Sequence, residues 1–197
     1  MNKRKQWLIY GATGYSGRHT AEWAVANGLQ PVLAGRRAAE VRALAERLGL
    51  QWEAFDLVDV KTIATVLAKY STVLHCAGPF IHTYQPMIEA CIAAGTHYLD
   101  ITGEVDVYEG LAGYEAQAQR AGVMMMPAVG FDMVPGDCLA LLLQDKLPDA
   151  TDLDIGYSFD GTITRGSIRS ALSAFSPRES AARWPVGAFA CAPGAPV

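Results

Sequence analysis

The sequence lacks most of the features that would place it in a familiar function class. Its four cysteines, Cys76, Cys91, Cys138 and Cys191, stand apart, with no C-x-x-C pair and no histidine at ligand spacing. Such a set supplies neither a disulfide framework nor a zinc centre, and reduced thiols in a cytoplasmic protein are the expectation. A basic surplus is missing too. The 16 Lys and Arg against 20 Asp and Glu leave a formal net charge of −4, which offers no field to nucleic acid or to an anionic membrane surface. No uninterrupted apolar run approaches the ~18 residues of a membrane span. Residues 1–5 are basic, but residues 6–10 are too few for the apolar core of a signal peptide. There is no internal repeat.

What is present is apolar material and glycine in telling places. A hydrophobic fraction of 51% is ample for a buried core in a chain of 197 residues. Gly11-Ala12-Thr13-Gly14-Tyr15-Ser16-Gly17 follows the apolar run Trp7-Leu8-Ile9-Tyr10 and precedes a helix-compatible run over 18–27. A strand that ends in close glycines and restarts as a helix brings bare N–H groups to a helix N-terminus, where partial positive charge favours phosphate. Glycines there accept positive φ, let a pyrophosphate approach the main chain, and allow tight helix–strand packing. The spacing is G-x-x-G-x-x-G, a variant of the dinucleotide fingerprint. An ordinary tight βα turn is its plain alternative.

Strand and helix signals alternate from there. Pro31-Val32-Leu33-Ala34 reads as a second strand running into Gly35-Arg36-Arg37. An acid at that strand end would bind the ribose 2′-hydroxyl of NAD. Two arginines stand there instead, and a guanidinium fork suits a 2′-phosphate, so NADP(H) is expected over NAD(H) unless both are merely solvated charges. Val41, Leu44, Ala45 and Leu48 mark a second helix, residues 51–55 a third strand before Asp56, and Ile63, Val66, Leu67 and Tyr70 a third helix. Asp56 is placed to accept a hydrogen bond from an adenine amino group or to serve as a turn or cap residue. Residues 72–76 form a fourth strand ahead of the small segment Ala77-Gly78-Pro79, and Met87, Ala90, Cys91 and Ala94 mark the next helix. Residues 97–101 are a fifth strand. Thr102-Gly103-Glu104 opens a helix with Val107, Leu111, Tyr114 and Ala118 on one face, and residues 123–126 are a sixth strand whose three methionines are expected in the sheet core. A leucine-rich helix is expected over 136–147, a strand over 153–157, a short helix over 167–175, and a loosely held tail over 177–197.

This alternation predicts an α/β fold of the Rossmann type, a doubly wound, mostly parallel sheet with helices on both faces. Ligands of such sheets bind beyond the strand C-termini. The glycine turn, Arg36, Asp56, Gly78 and Asp100 all fall on that edge.

Five ordered segments carry a resemblance: GATGYSG, AGRR, HCAGPF, HYLDITGE ending at Glu104, and GFDMVPGD over 130–137. Together they resemble the saccharopine dehydrogenase-like (saccharopine reductase-like) oxidoreductases over about residues 7–147, and residues 152–175 look like the opening of that family's substrate domain. The resemblance implies an NADP-binding domain over 1–150 and the beginning of a substrate and dimerisation domain over 151–197, most of which is expected to be missing. It implies a nicotinamide dinucleotide on residues 11–17 and Arg36, with Ala77, Gly78 and Pro79 against the nicotinamide, and Tyr98, Asp100, Gly103 and Glu104 near the substrate. The implied reaction is hydride transfer between NADP(H) and a small carbonyl, imine or enoyl substrate, with room for a homodimer.

The cofactor carries the hydride, so the protein must supply or remove one proton. Asp100, Glu104, Tyr98, His82 and Asp132 are the candidates, and each has a plain structural alternative as a core, cap or turn residue. A short-chain dehydrogenase is the nearest enzyme rival, but no tyrosine has a lysine four positions later, and a hydrolase would need G-x-S-x-G between strand and helix. A module that binds NADP(H) without turnover, or an inactive fragment of a larger reductase, are the alternatives from other classes.

Overall fold

The computed structural model describes residues 6–131 and 133–156. Short apolar runs become strands because both faces of a parallel sheet are covered. In chain order the elements are β1 (Trp7–Tyr10), α1 (Tyr15–Ala26), β2 (Val32–Gly35), α2 (Ala38–Leu48), β3 (Trp52–Ala54), α3 (Val60–Leu67), β4 (Thr72–His75), a 3-10 turn (Phe80–His82), α4 (Tyr84–Ala94), β5 (His97–Asp100), α5 (Val105–Ala112), α6 (Glu115–Ala121), β6 (Met125–Met126) and α7 (Val134–Lys146). The strands form one sheet in the order β3-β2-β1-β4-β5-β6, and every pairing is parallel. This is the doubly wound Rossmann arrangement, and the order reverses at β1, between β2 and β4.

Alternation along β1 sorts the core into two layers. Leu8 and Tyr10 face α3, α4 and α5 through Ile63, Leu67, Met87, Ile88 and Val107. Ile9 faces α1 and α2 through Ala21, Val41, Leu44 and Ala45. Asp59 starts α3 by accepting from the N–H groups of Lys61 and Thr62 at 3.3 and 3.0 Å, a side-chain cap typically worth about 1 kcal/mol.

The C-terminal part departs from the sequence expectations. The single helix after Glu104 is two, α5 and α6, broken at Gly113 and Tyr114. The apolar face survives the break, with Val107, Leu111 and Ala118 buried and Tyr114 fixed to α4 by its hydroxyl, which donates to Glu89 at 2.9 Å. The sixth strand keeps only two residues, and as an edge strand it leaves Met124 and Met126 exposed instead of in the core. Residues 153–156 adopt no regular structure in place of the expected strand. The α7 helix starts at Val134, and its leucines at 139, 141, 142 and 143 are exposed. Tyr157, Asp132, Cys191, the helix expected over 167–175 and the tail over 177–197 lie outside the described residues.

Candidate functional site

Parallel pairing brings the ends of β1, β2, β4 and β5 to one edge. At the end of β1 the three glycines differ in kind. Gly11 has φ +81°, and a Cβ there would lie 2.8 Å from the Ala77 nitrogen. Its N–H and that of Ala12 donate to the Ala34 carbonyl at 2.9 and 3.1 Å, fixing the turn against β2. A Cβ on Gly17 would lie 2.4 Å from the Gly11 oxygen, so this glycine lets α1 close onto β1. Gly14 has neither reason. Its φ of −72° and ψ of 170° are open to any residue, though a Cβ would press on the Gly11 oxygen at 3.2 Å, with no other atom beyond its chain neighbours within 4 Å.

Gly14 is also the N-cap of α1, which has no side-chain cap and no acidic residue in its first turn. The N–H groups of Tyr15, Ser16 and Gly17 therefore have no acceptor within the helix. Gly14, Tyr15 and Ser16 are exposed, Thr13 is half-buried, and Ala12 and Gly17 are buried. A vacant approach over one glycine and uncapped amides beside it fit a phosphate group.

At the end of β2 the two arginines separate. Arg37 precedes α2 and pairs with Glu40 at 2.8 Å, both side chains being largely exposed. Arg36 is exposed and makes no ion pair among the described residues. It sits close enough to the Tyr10 hydroxyl to lower its pKa, while burial first and Asp56 second raise it, with a net shift up to about 12. Arg36 and Asp56 thus flank the same phenol, which donates to the Phe55 carbonyl at 3.1 Å. Asp56 accepts from the Val58 N–H at 3.1 Å in a turn.

Beyond β4 and β5 the polar groups are tied to one another. Ala77 and Pro79 are half-buried, Gly78 is exposed, and the Gly78–Pro79 peptide is cis. The Phe80 and Ile81 N–H groups donate to the two oxygens of Glu104 at 3.0 and 2.8 Å. The Thr83 hydroxyl donates to the Ala77 carbonyl at 2.8 Å and lies 3.0 Å from Nε2 of His75. His75 is fully buried, and burial holds its pKa down to about 3.

Asp100 is fully buried as well. Its carboxyl accepts from the Tyr98 hydroxyl at 2.6 Å and from the N–H groups of Thr102 and Ala128, both at 2.9 Å. Burial raises its pKa, and those three donors oppose the rise. Tyr98 is itself completely covered, with its phenol pushed up by burial and then by Asp100. Burial and the nearby Asp100 push the Cys76 thiol to about 12, which removes it as a nucleophile.

The sequence-based proton candidates therefore share an edge but not an environment. Tyr98, Asp100 and Glu104 are engaged with protein partners, Gly103 is exposed on the loop between the last two, and His82 is exposed in the 3-10 turn. His97 accepts from the Met124 N–H at 3.0 Å through Nδ1. Sequence reasoning missed His75 and Thr83. The one available signal was an imidazole closing the otherwise apolar strand just before Ala77-Gly78-Pro79. Among the described residues there is no group of three or more His, Cys, Asp or Glu placed to hold a metal, and no helix is long and apolar enough to cross a membrane.

Residues 7–126 match the family described as saccharopine dehydrogenase NADP binding domain. A protein of Mycobacterium tuberculosis, provisionally named a trans-acting enoyl reductase, is 32% identical over 183 residues, covering 86% of this chain and 44% of that protein. A trans-acting enoyl reductase of Mycobacterium bovis is 34% identical over 138 residues, 66% of this chain and 33% of that protein. The chain thus spans less than half the length of these curated relatives. Among solved structures, apo saccharopine dehydrogenase (L-Glu forming) from Saccharomyces cerevisiae aligns with a TM-score of 0.64 at 21% identity, over 73% of this chain and 31% of that one, a likeness of fold.

Proposed function

The chain belongs to the saccharopine dehydrogenase NADP binding domain family, and from that premise we propose that it lays NADP(H) across the β1 turn as the cofactor half of a reductase. The observation that carries this reading is the exposed Gly14 N-cap, with no side chain over it, beside uncapped amides. Residues 11–17 would hold the pyrophosphate, Arg36 the 2′-phosphate and Asp56 the adenine, with Ala77, Gly78 and Pro79 on the nicotinamide side. Arg37, its charge offset by Glu40 at 2.8 Å, takes no part in holding the phosphate.

When bound, NADPH supplies the hydride. The chain's own residues orient it: the glycine turn anchors the phosphates, and the loop beyond β4 shapes the surface under the other half. The names of the relatives favour an enoyl substrate over a carbonyl or an imine. Residues 1–150 are read as the cofactor domain and residues 151–197 as the opening of a substrate and dimerisation domain. Asp100, Tyr98 and Glu104, each held by protein partners, are the candidates for supplying the proton, and to do so they would have to exchange a partner for the substrate. That same engagement favours a second reading, binding without turnover by this chain.

Fluorescence titration of the full chain with NADPH and NADH tests the binding. Saturable binding with a preference for NADPH is expected, and no binding of either overturns the proposal. Steady loss of nicotinamide absorbance with an enoyl thioester or enoyl ester separates turnover from binding alone.

A further inference from the structure

The loop beyond β4 is held by two side chains that lie outside it, Glu104 and Thr83, and His75 in turn touches Thr83. Glu104, just ahead of α5, takes the Phe80 N–H on one oxygen and the Ile81 N–H on the other, at 3.0 and 2.8 Å. Its own N–H donates to the Thr102 hydroxyl at 3.0 Å, which fixes the residue that does the holding. Thr83, just ahead of α4, reaches back to the Ala77 carbonyl at 2.8 Å, with the Pro79 carbonyl at 3.3 Å.

The proton arithmetic assigns the histidine. A threonine hydroxyl has one proton, and both carbonyls beside it can only accept. His75 Nε2, at 3.0 Å from that oxygen, must therefore carry hydrogen and donate. The neutral ring then leaves Nδ1 as a bare acceptor, and this atom is buried without a hydrogen-bond partner among the described residues. The rings of Tyr10, Phe80 and Tyr98 surround the imidazole at centroid-to-centroid distances of 5.6, 5.4 and 6.1 Å. An orphaned polar atom in an aromatic nest is unfavourable to the fold. Phenylalanine would fill the same place without it, so what the imidazole adds is the donated hydrogen bond.

We infer that Glu104, Thr83 and His75 are positioning residues that set the loop over residues 77–81 in the shape that receives the nicotinamide half of the cofactor. This rests on the cofactor reading given above. The direction follows from strand order. With the pyrophosphate over β1 and Arg36 at the end of β2, the adenosine half lies over β2 and the remaining half extends over β4, the other neighbour of β1. The β4 exit touches the glycine turn directly, since the Ala77 nitrogen is what a Cβ on Gly11 would strike. The brace therefore acts on one half of the ligand only.

Calorimetric titration of the full chain with NADP+ and with adenosine 2′,5′-bisphosphate, which lacks the nicotinamide half, tests this. Glu104→Gln and Thr83→Val are expected to weaken NADP+ about tenfold while leaving the bisphosphate unchanged, and Thr83→Ser, which keeps the hydroxyl, should restore NADP+ binding. Equal loss for both ligands would make the three residues general supports of the fold and overturn the inference, as would unchanged NADP+ binding in both variants. If the unaltered chain binds the bisphosphate but gains nothing from the nicotinamide half, this inference fails while the cofactor reading stands. Binding of neither ligand defeats both.

Discussion

Two halves of one sheet edge use polar groups in opposite ways. Over β1 and β2, donors are left open: the first-turn amides of α1 have no cap, and Arg36 has no ion pair among the described residues. Over β4 and β5, acceptors are engaged inside the protein, Glu104 on two loop amides and Asp100 on a phenol and two amides. On the proposed reading, the open donors would receive an anion, while the engaged acceptors fix the shape of the loop beside it. The same residue types, read from the chain alone, look equally like ligands in both halves.

Substitutions on the two sides should therefore separate stability from binding. The largest effect belongs to the engaged side. Asp100→Ala leaves the Tyr98 hydroxyl and two N–H groups buried without their acceptor and should cost about 3 kcal/mol or more in a urea denaturation series. A loss below about 1 kcal/mol, the worth of one ordinary hydrogen bond, would mean that Asp100 is not the knot the geometry describes. On the open side, Gly14→Val should abolish measurable NADPH binding at a stability cost of about 1–2 kcal/mol, below that of Asp100→Ala, from the loss of a favoured N-cap residue and the 3.2 Å approach of its Cβ to the Gly11 oxygen. Retained binding would give the turn another purpose.

Arg36→Asp is next. It should weaken NADPH by about a hundredfold and NADH only slightly, since a carboxylate replaces a guanidinium against the 2′-phosphate. Arg37→Ala should change neither, its guanidinium already lying on Glu40. Equal losses for both cofactors with Arg36→Asp would remove Arg36 from that role.

The smallest effect, taken per pH unit, is a slope of stability with pH. His75 is neutral in the fold down to about pH 3, whereas the unfolded chain takes up its proton near pH 6.5. The unfolded state therefore binds more protons between these values, and stability falls as pH falls from about 6.5 toward 3, by up to about 1.4 kcal/mol per unit. Asp100, with its pKa raised, acts in the opposite sense: it releases its proton later in the fold than in the unfolded chain, so its contribution declines as pH rises. The difference between the unaltered chain and His75→Phe isolates the histidine, and a variant with an unchanged slope would show that the ring is not the source.

The sheet was legible because buried parallel strands read as short apolar runs, and the glycine turn because its spacing stands between a strand and a helix. Gly11 and Gly17 perform the turn and packing tasks expected of them, but only Gly11 of the three has a positive φ. The engagement of Asp100 and Glu104 was not legible, because their partners Ala128 and Phe80 lie 28 and 24 residues away. Nor was the break at Gly113, since the apolar spacing across it stays helical and the Tyr114 hydroxyl bond to Glu89 beside it joins residues 25 apart. The leucines of α7 show the limit of counting apolar residues. They occur at 139, 141, 142 and 143 rather than on one stripe, and only Gly136 of that helix is buried.

Ala128 has φ 60°, a left-handed conformation that costs an alanine about 1–2 kcal/mol. Its N–H is taken by the Asp100 carboxyl, and the next N–H, of Val129, by the Asp100 carbonyl at 2.7 Å. A two-residue strand could not by itself aim the polypeptide that leaves it. The bearing on which the chain departs for α7 is instead surveyed from inside the sheet, by one amino acid of the neighbouring strand. Whatever follows residue 130 inherits that heading from Asp100, through the N–H groups of Ala128 and Val129.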